Sequence, residues 1–202
     1  MNPRSKNLLV VDVETTGTNP FRHNVMAIAC VPFAGDIPTL ELYVAHEKVV
    51  WSEYAKKQFD RYALKWETNA ISAGNACAVI EQYLSLYYPG ESVTLVGHNI
   101  GFDMAFLRKL AFEGGRDELA GISHRTVDTH TMLYVLYEQG KLPSSALTSD
   151  GAFRHFGIRI RESERHTALG DAFATKTLAS KLFELLANSA EYAHSSPRAF
   201  RA

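Results

Sequence analysis

The chain has 202 residues, 46% of them hydrophobic, which is enough to bury the core of one globular domain. Lys and Arg (21) nearly balance Asp and Glu (22), so a strong overall charge is excluded as the means of binding a polyanion, and any such contact must be local. Cys30 and Cys77 lack metal-type spacing and are interpreted as buried free thiols in a reducing compartment, so a cytoplasmic location is expected. The sequence predicts neither a signal peptide nor a membrane span.

The first part of the chain predicts three sequential strands. Residues 7–13 (NLLVVDV) form a continuous apolar run, typical of a strand that is covered on both faces, so we expect it at the centre of a sheet. After a turn-rich stretch at residues 17–24, the runs VMAIACVPF and TLELYVA predict two further strands. Short connections between three successive strands indicate an antiparallel meander.

The rest of the chain alternates helical and strand patterns. Helical spacing extends from Ser52 to Tyr88, with one clear helix ending at Pro89-Gly90. Later elements are a strand at SVTLVGH, a helix at NIGFDMAFLRKLAFEGG capped by Asn99 and stopped by Gly114-Gly115, a strand and helix in HRTVDTHTMLYVLYEQG, and helices at SALTSDGAFRHFG and TALGDAFATKTLASKLFELLAN. The predicted fold is α/β, with a mixed central sheet flanked by helices. One domain is expected over residues 7–187, followed by a tail at 188–202.

Two acidic residues follow the first strand in the motif DVETTG. Asp12 and Glu14 are two positions apart, so both carboxylates should point to one side of the strand. An ionised aspartate beside the apolar run needs compensation, which a divalent cation would supply. The alternative is that the strand simply ends in polar residues, and the Asp-x-Glu pattern alone is a weak signal.

Three further candidates lie in the motifs HNIGFD and HTALGD. Asp103 and Asp171 fall in the first turns of predicted helices, where the helix dipole alone would explain an acid. However, an apolar strand leads directly into the turn before Asp103, and ligand sites in α/β sheets gather at such strand ends. His166 precedes its helix on a loop, which suits a general base acting on a metal-bound water.

Other residues are candidates for substrate binding. Thr15, Thr16 and Gly17 predict a turn whose N–H groups and hydroxyls could hold a terminal nucleotide, and Asn99 is a further candidate. Phe21, Phe102 and Phe106 could stack on bases, although Phe106 is better interpreted as core. Asp128 is a rival fourth acid and is interpreted as a helix N-cap. The arginines before His166 could follow phosphates or could belong to a solvated loop: Arg154, Arg159, Arg161 and Arg165.

With these three motifs in order, and VDTHTML between the second and third, the chain resembles the DEDDh 3′-to-5′ exonucleases of the ribonuclease H-like superfamily over roughly residues 7–187. The resemblance implies a ribonuclease H-like sheet and two Mg²⁺ ions, for which Mn²⁺ would substitute. It further implies that Asp12, Glu14 and Asp171 hold one ion, that Asp12 bridges to a second supported by Asp103, and that His166 is the general base. Nucleoside 5′-monophosphates would be released from the 3′ end of a single strand.

Two departures from the family pattern concern substrate binding. Met26-Ala27-Ile28-Ala29 stands where many members have a Glu-Ile-Gly run, and the segment WSEYAKKQFDRYALKWETNAIS replaces a His-Gly-Ile motif. Several readings stay open: a DNA exonuclease, an exoribonuclease or oligoribonuclease, a phosphoesterase acting on nucleotides, or a non-catalytic module bound to a polymerase or to another replication or repair protein. No membrane partner is expected, and the oligomeric state is not predicted.

Overall fold

The structure is a computed structural model that describes residues 6–194, with the side chains of residues 6–187. The strands are β1 (Leu8–Thr15), β2 (Val25–Pro32), β3 (Leu40–Val44), β4 (Ala70–Ile71), β5 (Val93–Gly97) and β6 (Ile122–Asp128). The helices are α1 (Glu53–Phe59), α2 (Ala63–Asn69), α3 (Ala73–Tyr87), α4 (Gly101–Glu113), α5 (Thr129–Glu138), α6 (Ser149–His155) and α7 (Ala168–His194), with a 3₁₀ turn at Ser144–Leu147.

The six strands form one mixed sheet in the order β4-β3-β2-β1-β5-β6. Strands β1, β2 and β3 are the predicted antiparallel meander, in which Val11 lies opposite Cys30. Strand β5 runs parallel to β1, with Leu95 beside Leu9, and β6 runs parallel to β5. This arrangement confirms the predicted fold class.

Strand β1 lies inside the sheet and is covered on both faces, as its unbroken apolar run predicts. Leu9, Val11 and Val13 pack into a core formed mainly with α3 and α4. Val10, on the opposite face, packs with Ala172 and other residues of α7. Alternate residues of β1 therefore point to different layers, and Asp12 and Glu14 share the α7 face with Val10.

The segment from Ser52 to Tyr88 is divided more finely than its helical spacing predicts. It contains α1, α2, the short strand β4 and α3. Two serines start helices within it, because the Ser52 hydroxyl accepts from the Ala55 N–H and the Ser72 hydroxyl accepts from the Asn75 N–H. Strand β4 extends the sheet beside β3, which a two-residue apolar stretch between helices could not reveal.

Three further boundaries differ from the predictions. The helix expected in SALTSDGAFRHFG is interrupted at Thr148, whose hydroxyl caps α6 by accepting from the Gly151 N–H. Asn99 does not cap α4: it has φ 60°, and the helix begins two residues later. Helix α7 extends to His194, so part of the predicted tail is helical, and residues 195–202 lie outside the described residues. No helix within residues 6–194 combines the length and apolar character that crossing a membrane requires.

Candidate metal centre and active site

Three acids meet between β1 and α7. Asp12 and Glu14 on β1 and Asp171 in the first turn of α7 each place one carboxylate oxygen within 4.8 Å of the others. Helix α7 can approach the sheet because alanines face it: Ala168, Ala172 and Ala179 are buried in the same cluster. Two carboxylates from a strand end and one from a crossing helix thus form a three-oxygen group.

Asp103 lies next to this group without joining it. It is 5% exposed in the first turn of α4, and its Oδ1 accepts a hydrogen bond from the Val13 N–H at 3.1 Å. The turn between β5 and α4 is tight, since a Cβ on Gly97 would lie 2.6 Å from Ile100 Cδ1. The glycine therefore permits the helix start that carries Asp103 beneath β1.

Burial raises the pKa of all four acids, and repulsion from the other acids adds to the shift at Asp12 and Glu14. Burial raises the pKa of Asp12, and the charges of Asp103 and Asp171 raise it further. Burial, together with Asp171, raises the pKa of Glu14 to about 8, and burial raises the pKa of Asp103 to about 8. The pKa of Asp171 is also raised by burial, although Arg165 opposes the shift. Four crowded carboxylates of this kind need a positive partner.

The carboxylate oxygens of this group suit a divalent cation. Asp171 Oδ1 is buried and has no hydrogen-bond partner within the described part of the chain. A buried acceptor of this kind is costly unless it is satisfied. Carboxylate oxygens are the ligands that Mg²⁺ and Mn²⁺ prefer. The acids present therefore fit the divalent cation that the sequence predicts, and Asp12, Glu14 and Asp171 are the group that could hold it.

These pKa shifts predict a pH-dependent stabilisation by metal. An acid whose pKa is raised on folding stabilises the fold fully below its ordinary pKa near 4, and this contribution is lost as the pH rises toward the folded value. For Glu14 and Asp103 the folded value is about 8. We expect the Tm gain on adding Mn²⁺ to chelator-treated protein to grow between about pH 5 and pH 8.

Thermal unfolding with and without Mn²⁺ across this pH range measures the effect. The variant Asp103→Asn lacks one of the responsible carboxylates and should show a weaker pH dependence of the metal-free Tm. A Tm gain that is the same at every pH would contradict the assignment.

The loop before α7 presents His166. Its backbone has φ 60°, and its ring contacts the Tyr54 ring edge-on, with centroids 6.3 Å apart. Burial lowers the pKa of His166, and the nearby Arg165 lowers it further. The imidazole is therefore neutral near pH 7 and able to accept a proton.

Two residues of the HTALGD motif explain how the loop enters the helix. The Thr167 hydroxyl accepts from the Gly170 N–H and donates to the Glu164 carbonyl at 2.7 Å. Gly170 has no room for a side chain, because a Cβ there would lie 2.1 Å from that same carbonyl. The motif thus fixes the positions of His166 and Asp171 relative to each other.

Two arginines hold this loop, and the sequence revealed neither contact. Arg165 pairs with Asp171 Oδ2 and with Asp150, and its side chain is only 15% exposed. Arg165 is therefore engaged within the protein and is not part of a solvated loop. Arg61 donates from Nη1 to the Glu162 carbonyl at 2.7 Å, although the two residues are 101 positions apart. No local pattern signals a contact over that separation.

The Thr-Thr-Gly turn is occupied by internal contacts. Thr15 donates to the Gly17 carbonyl, and fully buried Thr16 accepts from the Asn24 N–H. The His23 ring fills the space beside Gly17, where a Cβ would lie 2.5 Å from it. These contacts close the loop between β1 and β2, and nucleotide binding by Thr15, Thr16 and Gly17 stays a prediction.

The remaining candidates separate into surface and core. Asn99 is exposed, and its N–H donates to Asp128, which caps α5 by accepting from the His130 N–H as predicted. Phe106 is fully buried, confirming its place in the core, and half-buried Phe102 packs against it at 4.9 Å. Phe21 is 93% exposed in the loop between β1 and β2.

A mixed sheet with a group of acids beside the end of its central strand β1 suits a metal-dependent enzyme of the class that the sequence predicts. Residues 9–179 match the family model RNase_T, described as "Exonuclease". The match covers most of the chain, and the chain belongs to this exonuclease family. This membership confirms the resemblance to the DEDDh exonucleases and the predicted enzyme class.

Solved structures of exonuclease I share the fold. The zinc-bound E. coli exonuclease I–ssDNA complex matches with a TM-score of 0.72 and 17% identity over 90% of this chain and 42% of that one. E. coli exonuclease I with a dT13 oligonucleotide matches with a TM-score of 0.69 and 17% identity over 89% of this chain and 43% of that one.

The moderately thermophilic exonuclease I from Methylocaldum szegediense matches with a TM-score of 0.66 and 18% identity over 88% of this chain and 42% of that one. The chain thus spans less than half the length of these proteins, and identities this low show the fold alone. A comparison with curated proteins gives no significant match.

Proposed function

We propose that the chain is a metal-dependent 3′-to-5′ exonuclease that removes nucleoside 5′-monophosphates from single-stranded nucleic acid, with DNA as the preferred strand. The observation that carries this proposal is the convergence of Asp12, Glu14 and Asp171 within 4.8 Å. Membership in the exonuclease family supports the reaction. The single-stranded DNA and the dT13 oligonucleotide bound in two of the neighbouring structures support DNA as the preferred substrate.

The four acids divide between two cation positions in this proposal. Asp12, Glu14 and Asp171 would hold one Mg²⁺, and Asp12 and Asp103 would hold a second. When bound, such ions lower the pKa of a bound water and stabilise charge on a phosphate. Asp171 uses its Oδ1, which has no hydrogen-bond partner in the described chain.

His166 accepts the proton of the attacking water. Its lowered pKa leaves the ring neutral at pH 7, which a general base requires. It lies on the loop that leads into α7, and Asp171 lies in the first turn of that helix. The base and a metal ligand are therefore carried by the same short segment.

The loop between β1 and β2 supplies a contact for the single-stranded nucleic acid. The Phe21 ring is 93% exposed, yet its backbone is held, because the Phe21 N–H donates to Asn19 Oδ1 at 2.9 Å. The loop also follows the end of β1 at Thr15, next to Glu14. An exposed ring on a held loop is a stacking surface for an unpaired base.

The proposal is tested with four strands of one sequence: linear DNA and RNA with 5′ labels, the same DNA with a 3′-phosphate, and a closed circle of that DNA. We expect a ladder shortening from the 3′ end in Mg²⁺ or Mn²⁺, none with chelator, faster loss of DNA than of RNA, and no cleavage of the blocked or circular strand. Internal cuts in the circle would rule out an exonuclease. No product from any strand would favour a non-catalytic module that binds a replication or repair protein.

A further inference from the structure

The Arg165 side chain connects three parts of the site. Its Nη1 donates to Asp171 Oδ2 on α7. Its Nε and Nη2 donate to Asp150 Oδ1 in the first turn of α6 at 3.0 and 2.8 Å, and Nη2 also reaches the Ser149 hydroxyl at 3.2 Å. The guanidinium lies over the Phe153 ring, 5.5 Å from its centroid. All three nitrogens of the group are thus engaged.

This arrangement divides the two oxygens of Asp171 between different tasks. Oδ2 accepts from Arg165, whereas Oδ1 is buried and has no hydrogen-bond partner among the residues that the structure describes. Asp171 also completes the three-acid group. A carboxylate rotates about its last side-chain bond unless something fixes it. The guanidinium fixes it, because its own position is set by Asp150 and Phe153 on α6.

The same side chain restrains the loop that carries His166. Arg165 is its immediate neighbour, so an anchor at Asp150 limits how far the His166 backbone can move. A second anchor lies a few residues earlier, where Arg61 holds the Glu162 carbonyl at 2.7 Å. The loop is therefore fixed to α6 on one side and to the connection between α1 and α2 on the other.

We propose that Arg165 is a positioning residue, which holds Asp171 for metal binding and the His166 loop for catalysis through its anchor on Asp150. The proposal rests on the proposed function. Groups that hydrogen-bond to a metal ligand fix its orientation, and their loss typically weakens metal binding or activity about 10- to 100-fold. Lysine keeps the charge of arginine but lacks its planar fork, so it cannot make the same set of contacts.

The test is calorimetric titration of the full chain with Mn²⁺ alone. We expect Arg165→Gln and Arg165→Lys both to bind Mn²⁺ about 10- to 100-fold more weakly than the wild type. Arg161→Gln is the matched control, because Arg161 lies in the same loop, is 83% exposed and pairs only with Glu164 among the described residues. It should bind Mn²⁺ as the wild type does.

Two results would overturn the proposal. Wild-type affinity in Arg165→Lys would mean that charge alone matters, and tighter binding by Arg165→Gln would mean that the arginine competes with the cation. Thermal unfolding in chelator checks that each variant is folded. If Arg165→Gln does not fold, Arg165→Lys decides the matter by itself.

A double-mutant cycle tests the role of Asp150. If Arg165 acts through this anchor, Asp150→Ala should weaken Mn²⁺ binding, and adding it to Arg165→Gln should cause no further loss. Additive losses would overturn the anchoring role. Because the titration needs no substrate, a wild type that binds Mn²⁺ but shortens no strand would refute the proposed function and leave the test of Arg165 intact.

Discussion

Replacing Asp12 with asparagine is expected to abolish turnover while stabilising the metal-free protein. Asp12 is the acid shared by both proposed cation positions, and metal ions contribute several kcal/mol to transition states of this kind. Since about 1.4 kcal/mol corresponds to tenfold in rate, we expect kcat to fall by about three powers of ten or more. Removing this carboxylate relieves the cost of burial, and the repulsion from neighbouring acids, that raise the pKa of Asp12, so the metal-free Tm should rise.

The rate of shortening of a 5′-labelled strand and the Tm in chelator are measured on the same sample. Asp128→Asn is the control, because asparagine keeps the Oδ1 that accepts from the Asn99 and His130 N–H groups. It should retain both turnover and stability. Near-wild-type turnover in Asp12→Asn would refute the metal centre, whereas a lower metal-free Tm would refute the assigned repulsion.

Replacing His166 with alanine is expected to reduce kcat by about two to four powers of ten with little change in KM. This is the usual contribution of a positioned general base. Burial and Arg165 lower the pKa of His166, so the wild-type enzyme should keep its activity below pH 6.5, the range in which an ordinary histidine becomes charged. The acid limb of the kcat profile should disappear in the variant.

Steady-state kinetics at several pH values separate this role from substrate binding. His124→Ala is the matched control, since His124 is an exposed histidine on β6. Its kinetics should equal those of the wild type. A His166→Ala variant that mainly raises KM would show that the imidazole binds the strand and does not take the proton.

The features predicted correctly from sequence are those that depend on neighbouring residues. Strand β1 follows from four consecutive apolar residues, and its alternation places Asp12 and Glu14 on one face. Asp103 and Asp171 lie in first turns because glycine, threonine and the strand ends fix those turns locally. A pattern only a few residues long therefore determines where each acid lies.

The features that sequence did not reveal depend on contacts between distant residues. Arg165 looked like one of several surface arginines, and only the packing of α6 against the start of α7 turns it onto Asp150 and Asp171. The sequence also did not reveal that the Thr16 hydroxyl accepts from the Asn24 N–H at the far end of the loop between β1 and β2. Strand β4 exists only because β3 lies beside it. None of these partners is visible from local spacing.

Diffraction from crystals soaked in Mn²⁺ tests the central claim most directly. The anomalous signal of manganese locates the ion without any assumption about the protein. We expect a peak bounded by Asp12, Glu14 and Asp171 Oδ1 in the wild type and its loss in Asp12→Asn. A fully occupied peak elsewhere on the chain, or none between these three carboxylates at saturating Mn²⁺, would contradict it.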